Sequence, residues 1–306
     1  MSKLRSTAVW PYLKLMRPAN QITAVADIMA GLAVGYVLAH HTSSDFAASL
    51  PLKELLLLSL STFALYGGGV VFNDIFDLPI DRVERPERPL PRGDVRLMQA
   101  VRLGAGLLVI GIILAFGVNA FAGLMAIAVS ILALLYDKYG KHHPVIGPIN
   151  MSLCRGANLL LGVSAFPEAL TSAYFLALLP LIYISSITLI SRGEVGGGNK
   201  THLQLAVLGY SLVVLVLLGL GHLFRYKVLH ALPFVIAFSY FVFPPLLRAL
   251  RTLEAGDIRK AVKAGIIALI LMDAALAAGF TTFYYGLVVA ALLPLSIRLG
   301  KLFAVT

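Results

Sequence analysis

A single cysteine, Cys154, in 306 residues excludes an intramolecular disulfide and any metal centre built from several thiolates. Charge is scarce as well: Asp, Glu, Lys and Arg together make up 13% of the chain, against 59% hydrophobic residues. Such a balance excludes an ordinary water-soluble domain and marks an all-α polytopic membrane protein. Acids are the scarcer sign, 15 against 25 Lys and Arg, for a net charge of +10. The excess is dispersed over short loops rather than collected in one folded domain. Nucleic acid is therefore not an expected partner, and membrane lipids with anionic headgroups are. A cleavable signal is also missing: the first 16 residues are mixed, and the first apolar stretch is of full spanning length. A compact chain without an organelle-type leader fits the inner (plasma) membrane of a bacterium.

Apolar windows of spanning length fall near 20–40, 54–76, 98–118, 120–136, 146–166, 171–191, 204–223, 230–248, 260–280 and 284–299. Nine or ten transmembrane helices are expected, in one transmembrane domain over 1–306 with residues 1–16 as a cytoplasmic lead-in. With ten spans and the amino terminus inside, 21 of the 25 Lys and Arg fall on the inner side, three fall outside, and Arg155 lies within a helix. That bias places both termini in the cytoplasm.

One stretch carries chemistry. In Phe72-Asn73-Asp74-Ile75-Phe76-Asp77-Leu78-Pro79-Ile80-Asp81-Arg82 a greasy segment stops and three acids appear together. At about 100° per residue, Asp74, Asp77 and Asp81 share an arc of roughly 60° on a helix face. Carboxylates at the negative end of a helix dipole call for a cation, and hard oxygen ligands favour Mg²⁺ beside a phosphate. The plainer reading is a solvated helix end, and Pro79 is expected to kink the helix and turn Asp81 aside. The following loop, Arg82 to Asp94, carries four arginines and three prolines. It reads either as positive-inside charge alone or as a clamp for phosphate oxygens. The acidic stretch lies on the cytoplasmic side in this topology.

Other polar residues sit where they are costly. Asp27 and Asp273 fall inside apolar windows, as do Arg155 and Asn158, three residues apart on one helix face. Asp27, Asp137 and a bound anion are the candidate partners of Arg155. Gly67-Gly68-Gly69 allows close helix packing or room for a chain-like ligand. The glycines after Arg192 form either a flexible turn or a backbone cradle for phosphate.

Asn73-Asp74-x-x-Asp77-x-x-x-Asp81 resembles the first signature of the UbiA superfamily of intramembrane prenyltransferases. The resemblance extends to Arg17-Pro18-Ala19-Asn20, to Arg88-Pro89-Leu90 with Gly93, to Tyr136 through Lys141, and to the helix bearing Arg155. It implies a ring of typically nine helices around a central cavity with a lateral opening to lipid, so that a tenth helix is a departure. It also implies Mg²⁺-dependent transfer of a prenyl group from an allylic diphosphate to a small hydrophobic or aromatic acceptor. Asp74, Asp77, Asp81 and Glu194 then serve as catalytic metal ligands. Asn20, Asn73, Arg88, Tyr136, Lys138, Lys141, Arg155, Arg192 and Asn199 then bind substrate.

The second signature resembles Asp-x-Glu-x-Asp, and the matching positions here are Arg192, Glu194 and Gly196. Only Glu194 is an acid, a pattern similar to the EboC-type branch of UbiA-like proteins. The alternative function is therefore a non-catalytic binder or carrier of an isoprenoid or a phosphorylated lipid.

Overall fold

The computed structural model describes residues 8–41, 46, 49–141, 143 and 145–303. Residues 1–7 of the expected lead-in lie outside the described residues. Among the described residues there is helix, turn and bend but no strand. A short α1 (Trp10–Met16) leads into α2 (Pro18–His40), and α3 (Leu52–Phe76) follows. Two short helices, α4 (Leu78–Glu84) and α5 (Pro89–Arg92), form the loop after α3. Then come α6 (Leu97–Phe116), α7 (Ala120–Leu135) with a π turn over Tyr136–Gly140, and α8 (Ile146–Val163). A run of short pieces that includes α9 (Leu170–Ala173) leads to α10 (Leu178–Ser191). The chain finishes with α11 (Lys200–Leu223), α12 (Val228–Thr252), α13 (Ala255–Phe280), α14 (Phe283–Ala290) and α15 (Leu292–Leu302).

All ten apolar windows are helical. Among the described residues, nine runs are long and apolar enough to cross a membrane, counting 167–191 and 283–302 as continuous. The tenth window is α8, whose 18 residues include Asn150, Arg155 and Asn158. At 1.5 Å per residue it is still about 27 Å long, close to the bilayer's hydrocarbon thickness.

Hydrogen bonds between helix ends show that the runs alternate in direction. At one end, Arg17 before α2 bonds Asp74 near the end of α3, and Asn73 reaches Asp137 in the π turn. Ser296 of α15 donates to the Ala19 carbonyl at that same end. At the other end, Arg225 after α11 donates to the carbonyl of His41, and Lys227 N–H to that of Gly279. Asn119 before α7 donates to the carbonyl of Ser164 just after α8, so α8 also runs from one end to the other.

Two buried apolar clusters meet along α2 and α8. Ile28 and Leu161 join α3, α6 and α7 on one side, while Ala30 and Leu159 join α10 to α14 on the other. Small residues permit the contact between these two helices. A Cβ on Gly31 would lie 2.2 Å from the Leu159 carbonyl oxygen, and one on Gly162 would lie 2.6 Å from that of Ile28. The triple glycine of α3 serves packing too, since a Cβ on Gly68 would meet Leu108 at 2.8 Å. Gly162→Val should therefore cost about 1–3 kcal/mol in a denaturation series, the usual penalty of overpacking. Gly219→Val is the control, because a Cβ there meets nothing within 4 Å.

Candidate active site

The acidic stretch folds as a broken helix. Asp77 caps the end of α3, and α4 restarts at Leu78 with Pro79 in its first turn, where the missing N–H costs nothing. The expected kink is present, but it does not turn Asp81 away from Asp74. Both carboxylates, each 3% exposed, face one guanidinium: Arg88 Nη1 is 2.6 Å from Asp81 Oδ2 and 3.4 Å from Asp74 Oδ1. Arg17, held in a left-handed conformation (φ 48°) between α1 and α2, donates to the same Asp74 Oδ1. Asp77 pairs instead with Lys141, whose Nζ lies 2.5 Å from its Oδ1.

Of the four arginines in the loop after α3, Arg88 alone turns inward; Arg82, Arg85 and Arg92 are exposed, and Arg92 pairs with Asp94. The clamp therefore rests on Arg88, while the other three look like positive-inside charge. The reason is α5: two prolines in its four residues make a rigid turn with Pro89 and Leu90 buried, and Arg88 enters with them.

The π turn sets the far wall. One extra residue per turn rotates the helix end so that Asp137 and Gly140 are buried while Lys138 and Tyr139 are exposed. Lys138 Nζ lies over the Tyr139 ring at 5.0 Å, whereas Lys141, which closes the turn, reaches Asp77. Asn73 Nδ2 donates to Asp137 Oδ1 at 2.8 Å and so ties α3 to this wall. Lys141→Met should accordingly reduce binding of an allylic diphosphate much more than Lys138→Met does, as measured by titration of the detergent-solubilised protein.

Arg155 is not at this cluster. It sits deeper on α8, with Nη1 3.1 Å from Asp27 Oδ2 and Nη2 donating to Thr23 Oγ1 at 2.9 Å. Thr23 passes the connection on by donating to the Asn20 carbonyl. Asn158 donates to Asp27 and to the Ala24 carbonyl, and Thr62 of α3 donates to Asn158. Asp273 of α13 interacts with both Asp27 and Arg155. Of the three candidate partners, Asp27 holds Arg155, and Asp137 serves Asn73 instead.

At the end of α10 the residues separate. Arg192 is exposed; Glu194 is half-buried, and its backbone carbonyl accepts from Arg259. Burial raises the Glu194 carboxyl above its ordinary pKa, and Arg259 opposes the shift. Asn199 caps α11 by accepting from the N–H groups of Thr201 and His202. The glycine run is a packed turn. Gly197 N–H donates to the Gly193 carbonyl and Gly198 N–H to that of Leu253, so neither is available to cradle a phosphate.

No group of three or more Asp, Glu, His or Cys side chains stands close enough to hold a metal among the described residues. The site nonetheless fits a hard cation. Arg88 places positive charge between two buried carboxylates, and its Nε is buried without a hydrogen-bond partner. A cation between Asp74 and Asp81 would free that guanidinium for phosphate oxygens. Arg17 and Asp137 complete the cluster, and sequence reasoning did not place either among the site residues. Arg17 was visible as part of the Arg17-Pro18-Ala19-Asn20 match, and Asp137 within the Tyr136 to Lys141 match and as one of three candidate partners for Arg155.

A model of the UbiA prenyltransferase family matches residues 28–264. Digeranylgeranylglyceryl phosphate synthase of Methanosarcina mazei is 32% identical over 182 residues, 58% of this chain and 63% of that protein. The protein of that name from Methanosarcina barkeri is 31% identical over 163 residues, 53% of this chain and 56% of that one. The matched stretches thus span less than two thirds of these relatives. A solved structure of a digeranylgeranylglyceryl phosphate synthase aligns with a TM-score of 0.65 and 26% identity, over 92% of this chain and 99% of that chain. A UbiA homolog from Archaeoglobus fulgidus, bound to GPP and Mg²⁺, shares the fold at a TM-score of 0.60 and 14% identity, over 92% and 99% of the two chains. The family model covers well over half of the chain, and this chain belongs to the UbiA prenyltransferase family.

Proposed function

We propose that this chain transfers a prenyl group from an allylic diphosphate to a small acceptor within the membrane, with Mg²⁺ bound by Asp74, Asp77 and Asp81. The observation that carries this reading is Arg88, one guanidinium shared by two buried carboxylates with an orphaned Nε beside them. When bound, the metal neutralises charge growing on the leaving diphosphate. Arg17, Arg88 and Lys141 bind and orient the diphosphate oxygens, and their fixed positions stabilise negative charge as the allylic C–O bond lengthens. Asn73, held by Asp137, ties the acidic stretch to the π turn. Glu194 is the acid at the end of α10 that would join the ligand set. Apolar walls exclude water from the allylic cation until the acceptor reaches it.

For the acceptor, the relatives' name favours a glyceryl phosphate over the aromatic compound expected from the resemblance. Arg155 is bonded to Asp27 and Thr23 within the bundle, and a role in binding the acceptor is part of this proposal. The Lys and Arg distribution supports cytoplasmic placement of the acidic end and of both termini. The relatives named here are archaeal, so the expectation of a bacterial membrane is not carried further. One transmembrane unit over 1–306 is the domain reading that accompanies this function.

The test is diphosphate release by the full chain in nanodiscs, with a panel of allylic diphosphates, with and without Mg²⁺, and with alkylglycerol phosphate or 4-hydroxybenzoate as acceptor. Metal-dependent release with either acceptor supports the enzyme. Donor binding without release under all of these conditions supports the carrier reading, which Arg192 at an acidic position favours.

A further inference from the structure

Charges inside the bundle do not balance. Asp27 of α2 is 0% exposed, Asp273 of α13 is 1% exposed and Arg155 of α8 is 6% exposed. The two acids interact side chain to side chain, and Arg155 is the one cation that interacts with either of them among the described residues. Two ionised carboxylates against one guanidinium leave a net negative charge within the membrane-spanning bundle, where an uncompensated charge is most costly.

The hydrogen bonds show where the missing positive charge belongs. Asp27 Oδ2 is satisfied, because Asn158 Nδ2 donates to it at 2.8 Å and Arg155 Nη1 lies 3.1 Å away. Asp27 Oδ1 and Asp273 Oδ2 are buried and have no hydrogen-bond partner. An ionised carboxylate only accepts, so two of them cannot satisfy each other; one proton turns either into a donor. The surrounding donors are already used. Arg155 Nη2 donates to Thr23, Asn158 also donates to the Ala24 carbonyl, and Thr62 donates to Asn158. Tyr183 of α10, Tyr226 before α12 and Tyr285 of α14 donate to the carbonyls of Gly265, Ala275 and Met29. Tyr66 of α3 and Cys154 of α8 stand on the Arg155 side, and a phenol and a thiol are neutral at physiological pH. No side chain of α12 or α15 interacts with either acid. A hard metal cation takes six or more oxygens, and this group offers two without partners.

We infer that Asp27 and Asp273 form a proton-binding site inside the membrane and hold one proton between Asp27 Oδ1 and Asp273 Oδ2. The site is separate from the acidic motif and does not depend on the prenyl-transfer reading. Its place gives it a role. The two apolar clusters meet along α2 and α8, and α13 belongs to the larger one, so the proton ties α13 to that seam. Unfolded aspartates ionise near about pH 4. Above that pH the folded chain keeps one proton that the unfolded chain releases, so stability falls as pH rises until the pair itself ionises. The unfolding constant then grows by up to about tenfold per pH unit from this site.

The test is infrared absorption of the full chain, labelled with carbon-13 at the aspartate carboxyl, in an ester-free detergent at neutral pH. Wild-type protein should show the carbonyl band of a protonated carboxylic acid, and Asp273→Asn should lose it. Asp27→Asn should lose it too, because one acid opposite one arginine ionises. Both variants keep the volume and supply an N–H donor in place of the shared proton. In denaturant, the unfolding constant should rise with pH more steeply in the wild type than in Asp273→Asn. The absence of any wild-type band that Asp273→Asn removes overturns the proposal. A band that persists in Asp27→Asn also overturns it, because the proton then belongs to Asp273 alone; this arm decides the matter if Asp273→Asn does not fold. Stabilisation by Na⁺ over choline at equal ionic strength, lost in Asp273→Asn, puts a metal cation in the proton's place and overturns it as well.

Discussion

Asp74→Asn is expected to lower Mg²⁺-dependent diphosphate release by roughly 10²–10³, the usual cost of removing one fixed electrostatic contact from a transition state. Asparagine keeps the volume and a hydrogen-bonding oxygen but not the charge. Asp74 is 3% exposed and bonds both Arg17 and Arg88, so its charge holds two guanidinium groups in place. Asp94→Asn is the matched control. Asp94 pairs only with the exposed Arg92 on the same rim, and surface pairs of this kind contribute about 0–1 kcal/mol. Release rates measured on both variants decide the matter. Retention of more than a tenth of the wild-type rate in Asp74→Asn places the departing diphosphate somewhere other than this cluster.

The second large effect concerns stability. Arg155→Met leaves Asp27, at 0% exposure, without its counter-charge and should destabilise the protein by about 3–5 kcal/mol. Asp27→Leu with Arg155→Met removes this ion pair and should recover part of that loss, because the penalty lies largely in the orphaned carboxylate, while the buried Asp273 beside them remains. Denaturation of the wild type, the single variant and the double variant measures this cycle. Equal destabilisation of single and double variants would trace the effect to the Thr23 and Asn20 connection instead.

Much of this could be read from the residues in order. The helices followed from the apolar windows, since lipid leaves no alternative way to satisfy the backbone. The phase of Asp74, Asp77 and Asp81 pointed to one cluster, and the structure brings Asp74 and Asp81 to one guanidinium while Asp77 pairs with Lys141. Positions that depend on a local break in periodicity were harder to read. Lys138 and Lys141 are equivalent in charge, and only the π turn shows that Lys141 faces the acids. Among the four arginines after α3, the buried pair Pro89 and Leu90 selects Arg88. The glycines after Arg192 permitted two readings until their N–H groups were found bonded to Gly193 and Leu253.

The sequence by itself determined the solvent, the helices, the acidic motif and the absence of an acid at Arg192, because hydropathy and charge are properties of residues taken singly or at fixed spacing. The tertiary structure decided which charges meet. Arg88 joins Asp74 to Asp81, Lys141 takes Asp77, Asn73 takes Asp137, and Asp27 takes Arg155 from another helix. Each of these depends on helices brought together by glycines at Gly31, Gly68 and Gly162 and on breaks at Asp77 and Tyr136. Ion pairing falls off within a few ångströms, so small changes in helix crossing and register choose the partners, and no linear pattern records them.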